Sequence, residues 1–326
     1  MPTEAINLWE LLDNIQKGKI KMDKPLIKYQ DGTQEFFVFQ DSGLNLLLGH
    51  EGNGKTKLLT HNIIQLLDQF QDGDPRFVNW KILYIDAERP ETQYAKSLHH
   101  IFNTTKMANS EVMCHLQFLS VMDLECKAIV DSIQKHLDTY PDHIFIVIID
   151  PILPLVNDLN SPREASEIDR FIKKMICQGH IVIASIHETY NGFKKGLGHL
   201  GSSLQRTASF MLEVANDQDG TGFEIKQFKS RISPQSKIIL SMKLDDNGNI
   251  DATCFPIIKQ SATKNVKIAE TLIAKEILEE FSLQKEKSKK QLLLLIAKKK
   301  KYTSNSSSSN TYFNKHLVDQ VSFETE

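Results

Sequence analysis

The segment from residue 49 to residue 56 has the residue types and the spacing of a phosphate-binding loop. It reads G-x-x-x-x-G-K-T, follows a predicted strand directly and opens a predicted helix. Glycines allow such a backbone to fold round an anion, while successive N–H groups and the helix N-terminus hold the phosphate oxygens. The alternative is a loop without a ligand. The pattern predicts a nucleotide site in which Lys55 reaches the β- and γ-phosphates of ATP and Thr56 binds Mg²⁺. Its residues are Gly49, His50, Glu51, Gly52, Asn53, Gly54, Lys55 and Thr56.

Acidic residues follow two further apolar runs. Asp150 ends one run, and Glu88 comes shortly after another. At the C-terminal end of a strand beside the phosphate loop, Asp150 is placed to hold the shell of a Mg²⁺ ion. A carboxylate at the tip of a neighbouring strand can polarise a water molecule, so we predict Glu88 as the general base, with Asp86 as its rival. The structural alternatives are a turn aspartate and an ordinary glutamate at a helix start.

A glycine-rich, basic segment follows the fourth apolar run. It spans residues 192–198, reads GFKKGLG and contains Lys194 and Lys195. Lysines and one aromatic ring on a glycine-rich loop are typical of contacts with a nucleic-acid backbone, with possible stacking on a base. A solvated surface loop has the same composition, and both interpretations stay open.

Short apolar runs alternate with longer amphipathic stretches along the first 260 residues. Near-continuous apolar strands indicate a sheet that is buried on both faces, so the pattern predicts an α/β fold with a mostly parallel twisted sheet. The turn sequence Asp245–Asn249 and two late β-rich segments predict antiparallel additions to that sheet. The predicted parallel strands are 44–48, 81–85, 144–149, 181–186 and 210–214, the predicted helices 55–70, 88–102, 124–139 and 163–178, and the late strands 223–228 and 237–244.

The composition of the sequence changes near residue 264. From Ala262 onward there are twelve lysines against eight acidic residues, with leucine at helical spacing. This change predicts a small basic helical domain at 265–326 after a core domain at 37–260. The residues before the core domain, 1–36, are predicted to form an N-terminal arm. Three short helices with a basic connection resemble a winged-helix module, which would put Lys315 on a DNA-recognition helix. A lysine-rich solvated surface is the alternative.

Composition limits the class of protein. With 40% hydrophobic and 25% charged residues, collagen-like and disordered chains are excluded. The net charge of -2 gives no global argument for nucleic acid. The sequence contains no apolar run long enough to cross a membrane and no secretory signal pattern, which predicts a cytoplasmic protein without membrane contact. The four cysteines form no C-x-x-C pair, so a zinc ribbon is not predicted.

The order of these motifs resembles a known family. The phosphate loop, Glu88, Asp150-Pro151, the strand-end His187 and then Gly201-Ser202-Ser203 are similar to the RecA-like ATPases of the hexameric helicase branch, above all plasmid RepA-type helicases and the AAA-25 family of mobile elements. The resemblance spans roughly residues 37–258.

The resemblance implies a role for each matching residue. Glu88 would activate water, His187 would sense the γ-phosphate, and the glycine-serine segment would form a loop near a central channel. Lys229 and Arg231 match a K-x-R element that ring ATPases supply to the nucleotide of a neighbouring subunit, unless they merely belong to a charged edge strand. Glu188 stands where the family usually has a second histidine.

Taken together, these patterns predict a MgATP-dependent motor ATPase that acts on DNA, with single-stranded DNA the expected partner, as a hexameric ring. The runner-up is a DNA-binding regulator that assembles with ATP and unwinds nothing. A small-molecule kinase is the third interpretation, because a phosphate loop serves transfer to a hydroxyl as well as transfer to water.

Overall fold

The computed structural model describes residues 24–31, 34–189, 196–217, 219–230, 238–251 and 257–260. The chain divides into two compact units, Met1–Gln260 and Ser261–Glu326, and the described residues belong to the first. The N-terminal residues 1–23 and the whole predicted basic helical domain, including Lys315, lie outside them. The boundaries predicted for that domain therefore stay a prediction.

A nine-stranded sheet forms the framework. Its strand order is β11-β10-β9-β8-β3-β7-β6-β4-β5. The six strands from β8 to β5 are parallel to their neighbours, whereas β9, β10 and β11 add antiparallel pairs at one side. The strands of this sheet are β3 (Leu44–Gly49), β4 (Trp80–Asp86), β5 (Leu116–Ser120), β6 (Ile144–Asp150), β7 (Ile181–His187), β8 (Phe210–Asn216), β9 (Gly222–Lys229), β10 (Ile238–Lys243) and β11 (Ile257–Gln260).

Helices cover both faces of the sheet. Buried side chains of α1, α2 and α3 pack on one face, and those of α4, α5 and α6 pack on the other. The side chains of β3 alternate between the two cores, with Leu47 in the first and Leu46 and Leu48 in the second. The strand is consequently apolar at consecutive positions. The helices are α1 (Lys55–Gln71), α2 (Glu91–Thr104), α3 (Asn109–His115), α4 (Cys126–Thr139), α5 (Pro162–Cys177) and α6 (Gly198–Thr207).

The α/β prediction and the mostly parallel sheet are confirmed. The phosphate-loop strand β3 and the strand β6 that ends at Asp150 are separated by one strand, β7, as in a RecA-like core. The late segments form antiparallel strands, as predicted. No helix of the described part of the chain has the length and apolar character needed to cross a lipid bilayer.

A separate hairpin packs on the same core. It consists of β1 (Pro25–Asp31) and β2 (Gln34–Gln40), paired antiparallel. Leu26, Ile27 and Phe36 are buried in the first hydrophobic core. Part of the range assigned to an N-terminal arm is therefore a component of the core.

Two local predictions differ from the structure. Helix α2 begins at Glu91 rather than at residue 88, because Pro90 is its N-cap and residues before a proline avoid helical angles. The expected glycine-serine loop at Gly201, Ser202 and Ser203 is wrong, since these residues lie inside α6. Leu200 and Leu204, four residues apart, are both buried on the second core, and this packing stabilises helix there.

Candidate functional site

The predicted site residues follow the carboxyl ends of neighbouring parallel strands. Gly49 ends β3 and pairs in register with His187, the last residue of β7. Asp86 ends β4 and pairs with Asp150, the last residue of β6. Because carboxyl ends of parallel strands share one edge of a sheet, the structure brings these segments together where open α/β sheets bind ligands.

The backbone of the phosphate loop requires glycine at two positions. Gly52 and Gly54 have φ angles of 77° and 78°, in the left-handed region that glycine adopts without a Cβ penalty. The amide of Leu58 donates to the carbonyl of Gly54 at 2.9 Å. The amides of residues 55–57 thus precede this first helical hydrogen bond of α1 and lie at the positive end of its dipole, an arrangement suited to an anion.

Close packing gives Gly49 and Gly54 a further reason to be glycine. A Cβ atom on Gly49 would lie 2.5 Å from the carbonyl oxygen of Val214, and one on Gly54 would lie 2.1 Å from the ring of Phe223. Val214 and Phe223 belong to β8 and β9. The two ends of the loop therefore pack closely against β8 and β9.

The Lys55 ammonium is folded back on the loop. It donates to the carbonyl oxygens of Gly49 and His50 at 2.9 and 2.8 Å, and it lies 3.3 Å from Nδ1 of His187. Burial lowers the pKa of Lys55, while the charges of Asp150 and Glu88 oppose that shift. A buried ammonium with backbone carbonyls as partners is a cation that phosphate oxygens can recruit.

Thr56 and Asp150 form the predicted metal pair. The Thr56 hydroxyl donates to Oδ2 of Asp150 at 2.6 Å, so a hydroxyl and a carboxylate adjoin the loop. Mg²⁺ prefers oxygen ligands and is commonly bound by one or two carboxylates together with substrate phosphates. The residues at this place therefore fit a Mg²⁺ ion that arrives with a nucleotide.

The Asp150 carboxylate accepts two further hydrogen bonds. Ser185 donates to its Oδ1 at 2.5 Å, and the Tyr84 hydroxyl donates to its Oδ2 at 3.2 Å. Sequence reasoning missed both residues. The available signal was a polar side chain two positions before a strand-end site residue, on the same face of the strand: Ser185 before His187, and Tyr84 before Asp86.

Glu88 and His187 face each other beside Lys55. Oε2 of Glu88 lies 3.9 Å from Nε2 of His187, and the Glu88 side chain is 54% exposed. Burial lowers the pKa of His187, and the charge of Lys55 lowers it further. An ammonium can only donate, so Nδ1 of the neutral ring accepts from Lys55 and Nε2 carries the proton on the Glu88 side.

The rival carboxylate, Asp86, has structural partners. Its side chain is completely buried and accepts from the amides of Glu88 and Arg89 at 3.3 and 3.0 Å. The Arg89 guanidinium also pairs with it, at 2.5 Å. Asp86 therefore holds the chain that carries Glu88, and Glu88 is the carboxylate that is open to solvent.

The basic segment after His187 is anchored at both ends. Glu188 forms an antiparallel bridge with Gly196, and the amide of Leu197 donates to the His187 carbonyl at 3.0 Å. Residues 190–195, with Lys194 and Lys195, lie outside the described part of the chain. The segment thus leaves and rejoins the structure beside His187.

Lys229 lies beside the N-terminal ends of the parallel strands, whereas the phosphate loop follows their carboxyl ends. It pairs with Met211 near the start of β8, and its ammonium donates to the carbonyl oxygens of Gln205 and Arg206 at 3.1 and 3.4 Å. Strand β9 has eight residues, so about 25 Å separates its two ends. Lys229 therefore cannot reach the nucleotide site of its own chain. Arg231 lies outside the described residues.

A cavity of about 990 Å³ opens beside Thr56. Its lining combines the start of α1, helix α2 and the turn after β10, and it is rich in amide, hydroxyl and basic side chains. The polar lining residues include Lys57, Thr60, Arg89, Gln93, His100, Asn103, Asn247 and Asn249. The space continues from the predicted phosphate site and is large enough for a nucleoside.

Comparisons with known proteins gave a family match and a similar solved structure. Residues 38–177 match the family model AAA_25, described as an AAA domain. A comparison with curated proteins gave no match. Among solved structures, the chain is similar to the flagellar accessory protein FlaH from Methanocaldococcus jannaschii, with 13% identity, a TM-score of 0.47, and coverage of 67% of this chain and 90% of that one. The family match and the arrangement at the sheet edge together support a P-loop ATPase domain with a RecA-like fold.

Proposed function

We propose that this chain is an ATP- and Mg²⁺-dependent motor ATPase that acts on DNA as a ring, in the replication or mobilisation of plasmids or other mobile elements. One observation carries the hydrolase part: Lys55, Thr56, Asp150, Glu88 and His187 lie together at the carboxyl edge of the sheet. The sequence resemblance to RepA-type helicases supports the DNA and ring parts.

The phosphate loop and the cavity beside it would hold the nucleotide. Amides at the start of α1 and the Lys55 ammonium would bind the phosphates, Thr56 and Asp150 would hold the ion, and the cavity next to Thr56 would take the nucleoside. Bound MgATP supplies the phosphoanhydride bond whose hydrolysis drives a motor. Lys55 exchanges its carbonyl partners for phosphate oxygens, which links loop and ligand directly.

Glu88 and His187 would divide the remaining work. Glu88 is the exposed carboxylate at the rim, so it can accept a proton from a water molecule at the open side of the site. His187 is neutral, touches Lys55 and faces Glu88. Any shift of Lys55 toward phosphate therefore changes the surroundings of His187, as a γ-phosphate sensor requires.

The anchoring of the basic segment supports an action on DNA. The segment with Lys194 and Lys195 begins and ends at the strand-end histidine, so a change at His187 passes directly to its base. Lysine side chains that contact the phosphate backbone of DNA would bind it without sequence preference. Lys315 of the basic C-terminal region is a further candidate contact.

The position of Lys229 supports a shared site. Lys229 and Phe223, whose ring lies against Gly54, are at opposite ends of β9, which is about 25 Å long. A role for Lys229 and Arg231 in hydrolysis therefore requires the nucleotide of another subunit. The hydrogen bonds from Lys229 to the C-terminal carbonyls of α6 fix the end of β9, two residues before Arg231 in the sequence. A head-to-tail interface of this kind forms a ring when the rotation between subunits closes.

The test is ATP hydrolysis by the purified protein alone, with single-stranded DNA and with duplex DNA, with Lys55→Ala as the blank. We expect Mg²⁺-dependent hydrolysis that single-stranded DNA stimulates several-fold. Stimulation by duplex DNA only, or none by either DNA, would favour an ATP-switched regulator instead. A monomer that transfers phosphate to a metabolite and ignores DNA would contradict the motor and indicate a kinase.

A further inference from the structure

Tyr84 connects the Asp150 carboxylate to a partly buried arginine, Arg89. Its hydroxyl, in the interior of β4, donates to Oδ2 of Asp150 at 3.2 Å and accepts from the Arg89 guanidinium at 2.8 Å. The Tyr84 side chain is completely buried. The contact joins residues that are 66 positions apart, so no local sequence pattern contains it.

Arg89 is itself held on three sides. Its Nε donates to Asp86 at 2.7 Å, a terminal nitrogen donates to the Ser97 hydroxyl at 2.8 Å, and the other contacts Tyr84. A planar guanidinium with all three nitrogens engaged has one orientation. Its hydrogen bond to Tyr84 therefore fixes the position of the Tyr84 hydroxyl.

The polarity of the contacts sets the direction of the tyrosine hydrogen. A guanidinium only donates, so the single hydrogen of the Tyr84 hydroxyl is left for Asp150. A tyrosine hydroxyl ordinarily keeps its proton at neutral pH, so Tyr84 is a donor to the carboxylate there.

We propose that Tyr84 is a positioning residue for Asp150 and that Arg89 acts through Tyr84, so that the two set the affinity of the nucleotide site for Mg²⁺. Tyr84 and Ser185 donate to different oxygens of Asp150 and thereby fix the plane of its carboxylate. Partners of this kind orient a ligand and tune metal binding without touching the metal. The inference rests on the proposed function, because it assigns Asp150 to the ion.

The test compares Tyr84→Phe with Tyr29→Phe as a matched control. Tyr29 is also a buried tyrosine of the first core, but it stacks on His61 and is no partner of Asp150. Binding of a non-hydrolysable ATP analogue is measured by calorimetry in EDTA and across a Mg²⁺ titration. For Tyr84→Phe we expect the Mg²⁺ concentration at half-saturation to rise about 10-fold, with affinity in EDTA unchanged. Tyr29→Phe should leave both values as in the wild type.

A second variant separates positioning from general destabilisation. Arg89→Lys keeps a positive charge for Asp86 but cannot hold Asp86, Ser97 and Tyr84 in one plane. It should also raise the half-saturating Mg²⁺ concentration, and the double variant should match Tyr84→Phe alone, because both act through one contact. If the double variant instead multiplies the two increases in half-saturating Mg²⁺ concentration, Arg89 does not act through Tyr84.

The outcomes also separate this inference from the proposed function. If wild-type protein binds the analogue equally with Mg²⁺ and with EDTA, the assignment of the ion to Asp150 is wrong and the proposed function loses its metal. If the wild type needs Mg²⁺ but Tyr84→Phe has the same Mg²⁺ curve, the positioning role is wrong while the ATPase assignment stands. A loss of affinity in EDTA as large as the loss in Mg²⁺ would make Tyr84 a structural residue only.

Discussion

At the scale of residues, two neighbouring carboxylates, Asp86 and Glu88, have opposite surroundings. Asp86 is buried, paired with Arg89 and bonded to backbone amides, whereas Glu88 is more than half exposed and faces His187. A general base needs access to water and a free lone pair. These surroundings favour Glu88 over Asp86 as the proposed general base.

Exchange of each carboxylate for its amide should separate these roles. Glu88→Gln should lower the rate of ATP hydrolysis by about 100-fold or more, the usual contribution of a general base, with stability within about 0.5 kcal/mol of wild type. Asp86→Asn removes the buried charge partner of the partly buried Arg89 and should lower the free energy of unfolding by about 3 kcal/mol. Urea denaturation and a phosphate-release assay measure the two effects. Near-wild-type hydrolysis by Glu88→Gln would remove Glu88 from the mechanism.

At the scale of elements, the phosphate loop depends on strands from the far end of the sequence. The loop joins β3 to α1, yet the ring of Phe223 at the start of β9 lies directly against Gly54. The Lys57 ammonium of α1 also lies over the Phe223 ring, 5.9 Å from its centroid. The antiparallel side of the sheet is thus a support for the nucleotide site as well as an extension of the core.

Two alanine substitutions in the loop should differ in cost for this reason. Gly52 and Gly54 share nearly the same φ, but no heavy atom lies within 4 Å of a Cβ at Gly52, while one at Gly54 would overlap the Phe223 ring. Gly52→Ala should cost about 1–2 kcal/mol from the left-handed backbone alone. Gly54→Ala should cost at least about 1 kcal/mol more, since overpacking adds to the strain. Thermal unfolding without nucleotide measures both, and equal costs would show that Phe223 does not confine the loop.

At the scale of the whole molecule, the proposed shared site depends on the distance between the phosphate loop and the end of β9. The phosphate loop lies at one edge, and the strand that leads to Arg231 ends at the other. In the proposed function, Arg231 acts as a finger for the nucleotide of a second copy of the chain that docks head to tail. Hydrolysis in this proposal therefore requires assembly.

Mixing two inactive variants tests the shared site. Lys55→Ala and Arg231→Ala proteins each lack one half of every site, but mixed rings contain interfaces where an intact Lys55 meets an intact Arg231. At equal amounts with free exchange, roughly a quarter of interfaces are complete, so about that share of wild-type activity should return. Wild type diluted with either variant serves as the control for exchange. No recovery at any ratio, while exchange is demonstrated, would argue that each subunit hydrolyses alone.

Contiguous features of this protein were predictable from its sequence. The phosphate loop, the five parallel strands and the helices between them depend on residues that are close along the chain, so residue spacing and apolar pattern were sufficient. Short or partly exposed elements such as β1, β5 and α3 lack a strong period and were not predicted. The resemblance to ring ATPases implies a loop at Gly201, whereas the packing of Leu200 and Leu204 makes the segment helical.

The tertiary structure alone decided which side chains act together. Tyr84, Arg89 and Ser185 surround Asp150 and the carboxylate next to it because three strands end at one edge. Phe223 meets Gly54, and Lys229 faces away from the loop, because β9 runs antiparallel to its neighbour. A sequence specifies local backbone preference and burial, but hydrogen-bond partners and the edge on which a residue lies follow from strand order and register, which exist only once the sheet has formed.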